Sequence, residues 1–246
     1  MNRANRPHCF SWLVILCLIQ AIGVGARADS HHSSLITHHS ISASDVLKSA
    51  SVNYDVVKDY TVDAHVTVNS GPEQQVPDMN VTIFYKKPDK VHVESKDGFA
   101  MIPRKGFVMG NPLKGLAGLP DLKIERTQKI GSDECYVIAA TVSGKRDDIK
   151  TEAWIDKKDW LVRRMALTSD WDQGAEINID YIKVQARYWM PSKTSANLTT
   201  PQMRGHRPGI KKEMKPQSIG MKIEFSNYKV NTGLSDKLFQ DPGGKK

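Results

Sequence analysis

Apolar and polar residues alternate with a period of two along most of the chain after residue 60. The clearest example runs from Tyr60 to Val68, where every second residue is apolar and the residues between are polar. The same alternation returns at 81–85, 177–181 and 219–225. A period of two places one set of side chains on each face of a strand, so each stretch predicts a half-buried β-strand.

A predicted hairpin in the middle of the chain, Thr151 to Thr168, fixes the relation between neighbouring strands. Trp154 and Ile155 lead into the charged sequence 156–159, and Trp160 opens a second apolar run. Two such runs around a short polar turn are typical of a β-hairpin. Further strands are expected near 123–130, 135–142 and 188–198. The chain is therefore predicted to be mainly β, with about ten strands in one curved antiparallel sheet that forms an open half-barrel.

One segment has a helical period instead. Within 44–58, apolar residues recur at a spacing that places them on one face of a helix, with Ser42 or Ser44 available as the N-cap. These residues are Val46, Leu47, Ala50, Tyr54 and Val57. An amphipathic helix needs an apolar surface to cover. We expect the 43–58 helix to lie over the faces of 60–68, 81–85 and 219–225.

Residues 110–121 form a loop rich in Gly, Pro and Leu, with neither a helical nor a strand period. Exposed leucines are unusual on a soluble surface, where they are normally covered or used for binding. Two interpretations stay open: a loop packed over a sheet edge, or a lid over a cavity.

The start of the chain indicates export. Arg3 and Arg6 precede an apolar run from about Cys9 to Val24, and small residues precede Ala28, as in a cleaved signal peptide. The predicted organisation is a signal peptide at 1–28, a disordered leader rich in Ser and His at 29–42, one domain at 43–240 and a flexible tail at 241–246. Cys135 is then the only remaining cysteine, which excludes an internal disulfide and favours a bacterial periplasm.

Few residues indicate chemistry. The histidine pairs of the leader could hold a metal, but no carboxylate or cysteine accompanies His31, His32, His38 and His39. The chain carries no nucleophile elbow, phosphate loop or zincin motif, so we predict no enzyme, no catalytic residue, no metal and no cofactor, with a periplasmic hydrolase as a distant alternative. The formal charge of +8 is compatible with nucleic acid, which the predicted compartment excludes.

A basic segment between Thr199 and Ser218 carries five cations among prolines and glycines: Arg204, Arg207, Lys211, Lys212 and Lys215. It has too few apolar residues to bury itself, so a mobile, solvated loop is expected. Its charge fits either plain solvent exposure or docking to an anionic membrane surface or an acidic patch of an inner-membrane transporter.

Three short motifs resemble the LolA/LolB superfamily of periplasmic lipoprotein carriers. Tyr85-Lys86-Lys87-Pro88 is similar to that family's basic-proline turn. The 154–164 hairpin is similar to the central hairpin of outer-membrane lipoprotein-sorting proteins, and 230–239 is similar to their closing segment. The resemblance covers roughly residues 43–240. The family's lid is held by an arginine where this chain has Lys87, and lysine lacks the forked geometry of a guanidinium.

The resemblance implies a sheet covered by the helix and loops, with an apolar cavity for the acyl chains of a lipoprotein or lipid. The implied function is periplasmic carriage between membranes by a monomer, with a lipid- or lipoprotein-sensing regulator of the same fold as the alternative. Lys87, Pro88, Leu116 and Leu119 are the candidate gate or latch residues. The candidate lining residues alternate on the predicted strands or are adaptable methionines: Val62, Val66, Val81, Ile83, Tyr85, Val91, Met101, Met165, Leu167, Ile177, Ile179, Met221, Ile223 and Phe225. The alternative is that the same side chains fill a solid core and leave no cavity.

Overall fold

The computed structural model describes residues 41–70, 76–96, 111–143, 148–169, 174–199 and 218–240. In these ranges one helix precedes ten strands and a short 3-10 helix at Asp236–Phe239. The helix and strands are α1 (Ala43–Asp55), β1 (Asp59–Asn69), β2 (Met79–Lys86), β3 (Lys90–Ser95), β4 (Lys123–Ile130), β5 (Asp133–Ser143), β6 (Asp148–Asp156), β7 (Val162–Ser169), β8 (Gly174–Val184), β9 (Tyr188–Thr199) and β10 (Ser218–Val230).

All ten strands belong to one antiparallel sheet in the order β3-β2-β1-β10-β9-β8-β7-β6-β5-β4. The last strand in sequence, β10, lies in the middle, between β1 and β9. The two outermost strands, β3 and β4, are not paired with each other, so the sheet stays open. The predicted mainly β architecture with one N-terminal helix is confirmed.

The helix begins where its sequence predicts. The Ser42 hydroxyl accepts a hydrogen bond from the Asp45 amide at 3.1 Å, and the Asp45 carboxylate accepts one from the Ser42 amide at 3.3 Å. This reciprocal capping satisfies amides that the first turn of a helix leaves without partners. Val46, Leu47 and Ala50 are buried on one face, while Val52 on the opposite face is 59% exposed.

Two apolar cores lie on one face of the sheet, which we call the inner face. The first core is formed mainly by β1, β2, β9 and β10: Val57, Tyr60, Val62, Ala64, Val66, Met79, Val81, Ile83, Tyr85, Tyr188, Met190, Ile223 and Val230. The second core combines α1, the loop before β4, and β5 to β7: Ala43, Val46, Leu47, Ala50, Leu113, Leu116, Ile138, Ala153, Ile155 and Val162. A smaller cluster of Cys135, Val137 and Trp154 occupies the outer face.

The helix therefore lies over a different part of the sheet from the part expected. The buried side chains of α1 pack in the second core, with β5 to β7, and only Val57, beyond the end of the helix, reaches the first core. The first core has large aromatic residues of its own: the ring of Tyr60 lies 5.1 Å from that of Tyr85 and 5.9 Å from that of Tyr228. These rings, and not the helix, supply the apolar area that completes the first core.

The two ends of the sheet differ in their connections. At one end, which we call the turn end, short turns join β2 to β3, β4 to β5, β6 to β7 and β8 to β9, and α1 leads into β1. At the opposite end, Asn69, Ser95, Ser143, Ser169 and Thr199 each finish a strand, and the connections to the next strand range from four residues, after Ser143 and Ser169, to 27 residues, after Ser95. The antiparallel order brings all these strand ends together.

Candidate functional site: an apolar band on the inner face

A single cross-strand row links the two cores. Paired residues on neighbouring antiparallel strands lie side by side and point to the same face. The row passes through eight strands from β1 to β4 and contains only apolar residues: Val68, Met221, Ala196, Ile177, Met165, Ala153, Ile138 and Ile124. Val68 packs against the first core, and Met165 and Ile124 pack against the second.

The central part of this row is only half-buried. A second row beside it on the same four strands is also apolar and half-buried. We call the eight central positions the apolar band: Met165, Leu167, Ala175, Ile177, Ala196, Leu198, Ile219 and Met221. Apolar side chains between two buried cores would normally be covered as well, so the band is the part of the inner face that a ligand could complete.

The band contains no charged residue. Charged residues of the same strands, such as Glu176, Lys193 and Lys222, occupy the alternating positions that face outward. A surface without charges suits hydrocarbon. It disfavours a charged ligand, because it offers no partner to compensate a charged group for its lost hydration. Strands are about 4.8 Å apart, so the row from Val68 to Met165 spans roughly 19 Å. This length suits an extended acyl chain lying across the strands.

The end of α1 is held against the band's second-core side by buried hydroxyl groups. The Tyr54 and Tyr181 hydroxyls lie 2.9 Å apart, and Tyr181 donates to the Val162 carbonyl at 3.1 Å. Burial raises the pKa of Tyr54 to about 12, and burial raises that of Tyr181 well above its usual value. Both phenols therefore stay neutral. The Asn53 side-chain amide also donates to the Asp159 and Trp160 carbonyls, at 2.7 and 3.3 Å.

A second set of contacts ties α1 to the other half of the sheet. The Lys87 ammonium, in the turn between β2 and β3, lies 2.9 Å from the Asp55 carbonyl and 3.2 Å from its carboxylate. Asn231, after β10, accepts from the Lys58 amide at 2.6 Å and donates to the Val56 carbonyl at 3.0 Å. The candidate latch residue Lys87 thus contacts the end of the helix.

The leucine-rich loop lies beside the helix. Leu113 and Leu116 are buried in the second core, and Leu119 and Leu122 pack against it. The Asn111 side-chain amide donates to the Ser51 hydroxyl of α1 at 3.1 Å. Helix and loop together cover β5 to β7 next to the band.

The predicted lining residues divide into three groups. Val62, Val66, Val81, Ile83, Tyr85 and Ile223 are buried within the first core, against which Val91 and Phe225 pack, so these residues fill space. Met165, Leu167, Ile177 and Met221 belong to the apolar band, and Ile179 is buried beside it at 8% exposure. Met101 and the basic residues Arg204, Arg207, Lys211, Lys212 and Lys215 lie outside the described residues, as do the leader histidines.

Sequence reasoning missed half of the band and the phenol pair. Ala175 and Ala196 are small and add little to an alternating pattern, and Leu198 lies near the end of a strand rich in polar residues. Ile219 was visible in the alternation of the last strand. Nothing in the sequence pattern pairs Tyr54 with Tyr181, which are 127 residues apart.

Comparisons with known proteins bear on the fold. No protein-family model matches the chain, and no curated protein matches it. A DUF1329 family protein from Desulfovibrio piger has a similar structure, with a TM-score of 0.54 and 15% identity over 80% of this chain and 95% of that one. A domain described as an outer membrane lipoprotein-sorting protein domain, from Vibrio parahaemolyticus, gives a TM-score of 0.52 and 10% identity over 80% and 95%.

The chain shares their fold. The resemblance to lipoprotein-sorting proteins, first suggested by three short motifs, is thereby confirmed for the fold across most of the chain. Within the described ranges, no helix has the length and hydropathy needed to cross a bilayer.

Proposed function

We propose that this protein is a periplasmic carrier that binds the acyl chains of a lipoprotein or lipid on the apolar band and moves them between membranes. The observation that carries the proposal is the band itself: eight half-buried, uncharged positions on four adjacent strands, between two buried cores. The fold shared with a domain described as lipoprotein-sorting supports it.

The band supplies enough free energy for such a ligand. Burying one methylene group yields about 0.8 kcal/mol, so a chain with twelve buried methylenes gains roughly 10 kcal/mol before the costs of association. Met221 and Met165 lie at the two ends of the band's first row, on β10 and β7, and the flexible thioether side chain adapts to acyl chains of different shape. Binding of this kind depends on the length of the acyl chain and needs no polar contact with a headgroup.

Helix and loop are the proposed gate. Lys87 and Pro88 form the turn that contacts the end of α1, and Leu116 and Leu119 fix the loop against the second core. The ion pair of Lys87 with Asp55 is largely exposed, so its contribution to closure is small, about 0–1 kcal/mol. The phenol pair and the leucines contribute more.

The decisive experiment changes the volume of the band. Ala196→Trp places an indole ring in the middle of the band, and the neighbouring Asn197→Trp places the same ring on the exposed outer face of β9. A fluorescent fatty acid, displaced by palmitate, reports on acyl binding. The proposal predicts an affinity at least tenfold weaker for Ala196→Trp and an unchanged affinity for Asn197→Trp.

Thermal unfolding of both variants accompanies the binding assay. If Ala196→Trp retains its melting temperature and loses fatty-acid binding, the band is the binding site. Equal binding by both tryptophan variants would refute acyl binding at the band. Native mass spectrometry of gently purified protein provides a second readout, in which a co-purified lipid mass is expected for the parent and absent for Ala196→Trp.

A further inference from the structure

The hairpin between β8 and β9 presents an unusual surface at the turn end of the sheet. We define the hairpin tip as Ile182 to Trp189. Ile182 is 42% exposed, one of four large apolar side chains at this level of exposure among the described residues. Lys183 and Arg187 are exposed, and Trp189 is half-buried.

The two cations of the tip rest on aromatic rings. The Lys183 ammonium lies 5.1 Å from the centre of the Trp189 ring, and the Arg187 guanidinium lies 5.3 Å from that of Tyr188. Their register places Lys183 opposite Trp189 and Val184 opposite Tyr188. Cation–π contacts of this kind orient the charge without neutralising it.

No carboxylate of the described residues forms an ion pair with Lys183 or Arg187. Other cations at the same end of the sheet do have such partners: Lys86 lies 2.7 Å from Asp236, Lys87 lies 3.2 Å from Asp55 and Lys157 lies 3.2 Å from Glu134. The tip therefore holds two cations free to meet an external anion, beside an exposed isoleucine.

The turn itself is rigid in shape. The Arg187 amide donates to the Val184 carbonyl at 3.1 Å, and the two residues between, Gln185 and Ala186, both have positive φ, +52° and +53°. This is the geometry of a type I′ turn, whose twist matches that of the flanking strands. The tip is thus a fixed platform, and its apolar and basic groups are presented together.

We infer that the hairpin tip docks onto the surface of an anionic lipid membrane. Tryptophan is enriched at membrane–water interfaces, where its ring lies at the level of the headgroups. Lys and Arg near such a surface are attracted by anionic lipids, and an exposed isoleucine gains free energy by entering the acyl region. An acidic protein would match the charges but gives no reason for Ile182 to stay exposed in the free protein.

The inference concerns a different part of the molecule from acyl binding. The tip lies at the turn end, whereas Thr199 and Ser218, which flank the basic segment 200–217, lie at the opposite end. Docking through the tip would direct the turn end of the sheet toward the bilayer. Docking through the basic segment would direct the other end there.

The experiment measures co-sedimentation of the chain, as secreted by a bacterial host, with phosphatidylcholine vesicles with or without phosphatidylglycerol. The test variant is Lys183→Gln/Arg187→Gln. The control is Lys123→Gln/Lys129→Gln on the exposed edge strand β4, which removes the same charge and likewise leaves no described ion pair broken. A third variant, Ile182→Ser, removes the exposed apolar group.

For the parent we expect binding only to vesicles that contain phosphatidylglycerol. The hairpin double variant should partition roughly 30-fold more weakly, which corresponds to about 1 kcal/mol for each charge. Ile182→Ser should weaken partitioning about tenfold. The β4 control should bind within about twofold of the parent, because β4 lies four strands from β8 across the sheet, about 19 Å, which exceeds the screening length of about 10 Å at 0.1 M salt.

Two outcomes would overturn the inference: a parent that ignores anionic vesicles, or hairpin variants that bind as well as the β4 control. Retained vesicle binding by the hairpin variants, with loss of binding to an acidic protein, would assign the tip to a protein partner instead. Fatty-acid affinity is measured on the same samples. Membrane docking can thus fail while acyl binding succeeds, and the reverse outcome is equally distinguishable.

Discussion

The hydroxyl of Tyr54 lies 2.9 Å from that of Tyr181, and this contact joins the last turn of α1 to β8. Tyr181 donates to the Val162 carbonyl, and the Val162 amide lies 3.4 Å from the Tyr54 hydroxyl, so both phenols reach the backbone of β7. The position of the helix is therefore fixed by directional polar contacts as well as by apolar packing.

Tyr54→Phe should loosen the helix. The substitution removes one hydroxyl and leaves the Tyr181 and Val162 groups with fewer partners, at a cost of about 1–2 kcal/mol in the free energy of unfolding. Hydrogen exchange of the α1 amides should accelerate more than that of the sheet. Val52→Ala, on the exposed face of the same helix, is the control and should change stability by less than about 0.5 kcal/mol. Equal exchange rates in both variants would show that the phenol pair does not hold the helix in place.

Stability should fall at alkaline pH because of buried phenols. Burial raises the pKa of Tyr54 to about 12 and raises the pKa of Tyr60, Tyr181 and Tyr228 as well. A tyrosine in the unfolded chain titrates near 10, so the folded state retains its protons where the unfolded state loses them. The stabilisation is complete below about pH 10 and is lost as the pH rises toward 12.

Urea midpoints measured from neutral pH to about pH 11 test this dependence. The decline above pH 10 should be shallower in Tyr54→Phe than in the parent, since one of the titrating groups is gone. An identical decline in both proteins would show that other groups, such as lysines, control the alkaline limit.

Asp156→Ala should be among the most destabilising single substitutions in the β6–β7 hairpin. Asp156 is 2% exposed. Its carboxylate accepts hydrogen bonds from the amides of Lys158, Asp159 and Leu161, at 3.1, 2.6 and 3.2 Å. It also lies 3.1 Å from the Arg163 guanidinium. Removing the carboxylate leaves several buried donors without an acceptor, and we expect the free energy of unfolding to fall by about 3 kcal/mol or more.

Asp133→Ala is the matched control, since Asp133 binds the same arginine at 3.0 Å from a side chain that is 40% exposed. Its loss should cost less than about 1 kcal/mol. Chemical denaturation of the two variants gives both values, and a larger effect at Asp133 would contradict the assignment of Asp156 as the turn's organising residue.

Leu116→Ala should uncouple the loop from the helix. Leu116 is 2% exposed in the second core, so truncation creates a cavity and costs about 2–5 kcal/mol. Leu119→Ala should lower stability less, because Leu119 is only partly buried against the core. If the loop also closes the band, dissociation of a bound fatty acid should be faster in Leu116→Ala than in Leu119→Ala. Equal dissociation rates would leave the loop as core packing alone.

Ala186→Gly should stabilise the β8–β9 turn. Ala186 has φ of +53°, a conformation that glycine adopts without the steric cost of a Cβ atom. Relief of that cost, about 1 kcal/mol, should appear as a higher melting temperature. The same substitution at an extended position of β8, Ala175→Gly, should lower the melting temperature. Vesicle binding should be unchanged in Ala186→Gly, because the basic and aromatic groups of the tip are retained.

The sequence pattern predicted the strands well because a period of two reports directly on burial. Tyr60, Val62, Ala64 and Val66 alternate in the sequence and are buried as the pattern requires. The capping of α1 was equally local, since Ser42 and Asp45 are three residues apart. Predictions that depended on neighbours in the chain therefore survived.

Predictions that depended on contacts between distant strands were less accurate. Alternation cannot distinguish Ile83, which is fully buried in the first core, from Ile177, which is half-buried in the apolar band. That difference arises from which strands lie beside each residue and what covers them. The placement of α1 failed for the same reason: its apolar face fits either core, and the choice depends on Tyr54, Asn53 and the loop leucines acting together.

The central position of β10 has a consequence for how the protein folds. Among the described residues, β1 to β3 form one meander and β4 to β9 form another, and the strand that pairs with both, β10, follows them in the sequence. Until residues 218–230 are available, the two meanders have no shared ladder, and Val66 and Thr194 both lack their common neighbour Ile223. Such long-range pairing slows folding, because the entropy of bringing distant segments together is lost before their contacts form. The chain would thus remain as two incomplete half-sheets until β10 pairs with β1 and β9, and a chain truncated before Ser218 would not join them.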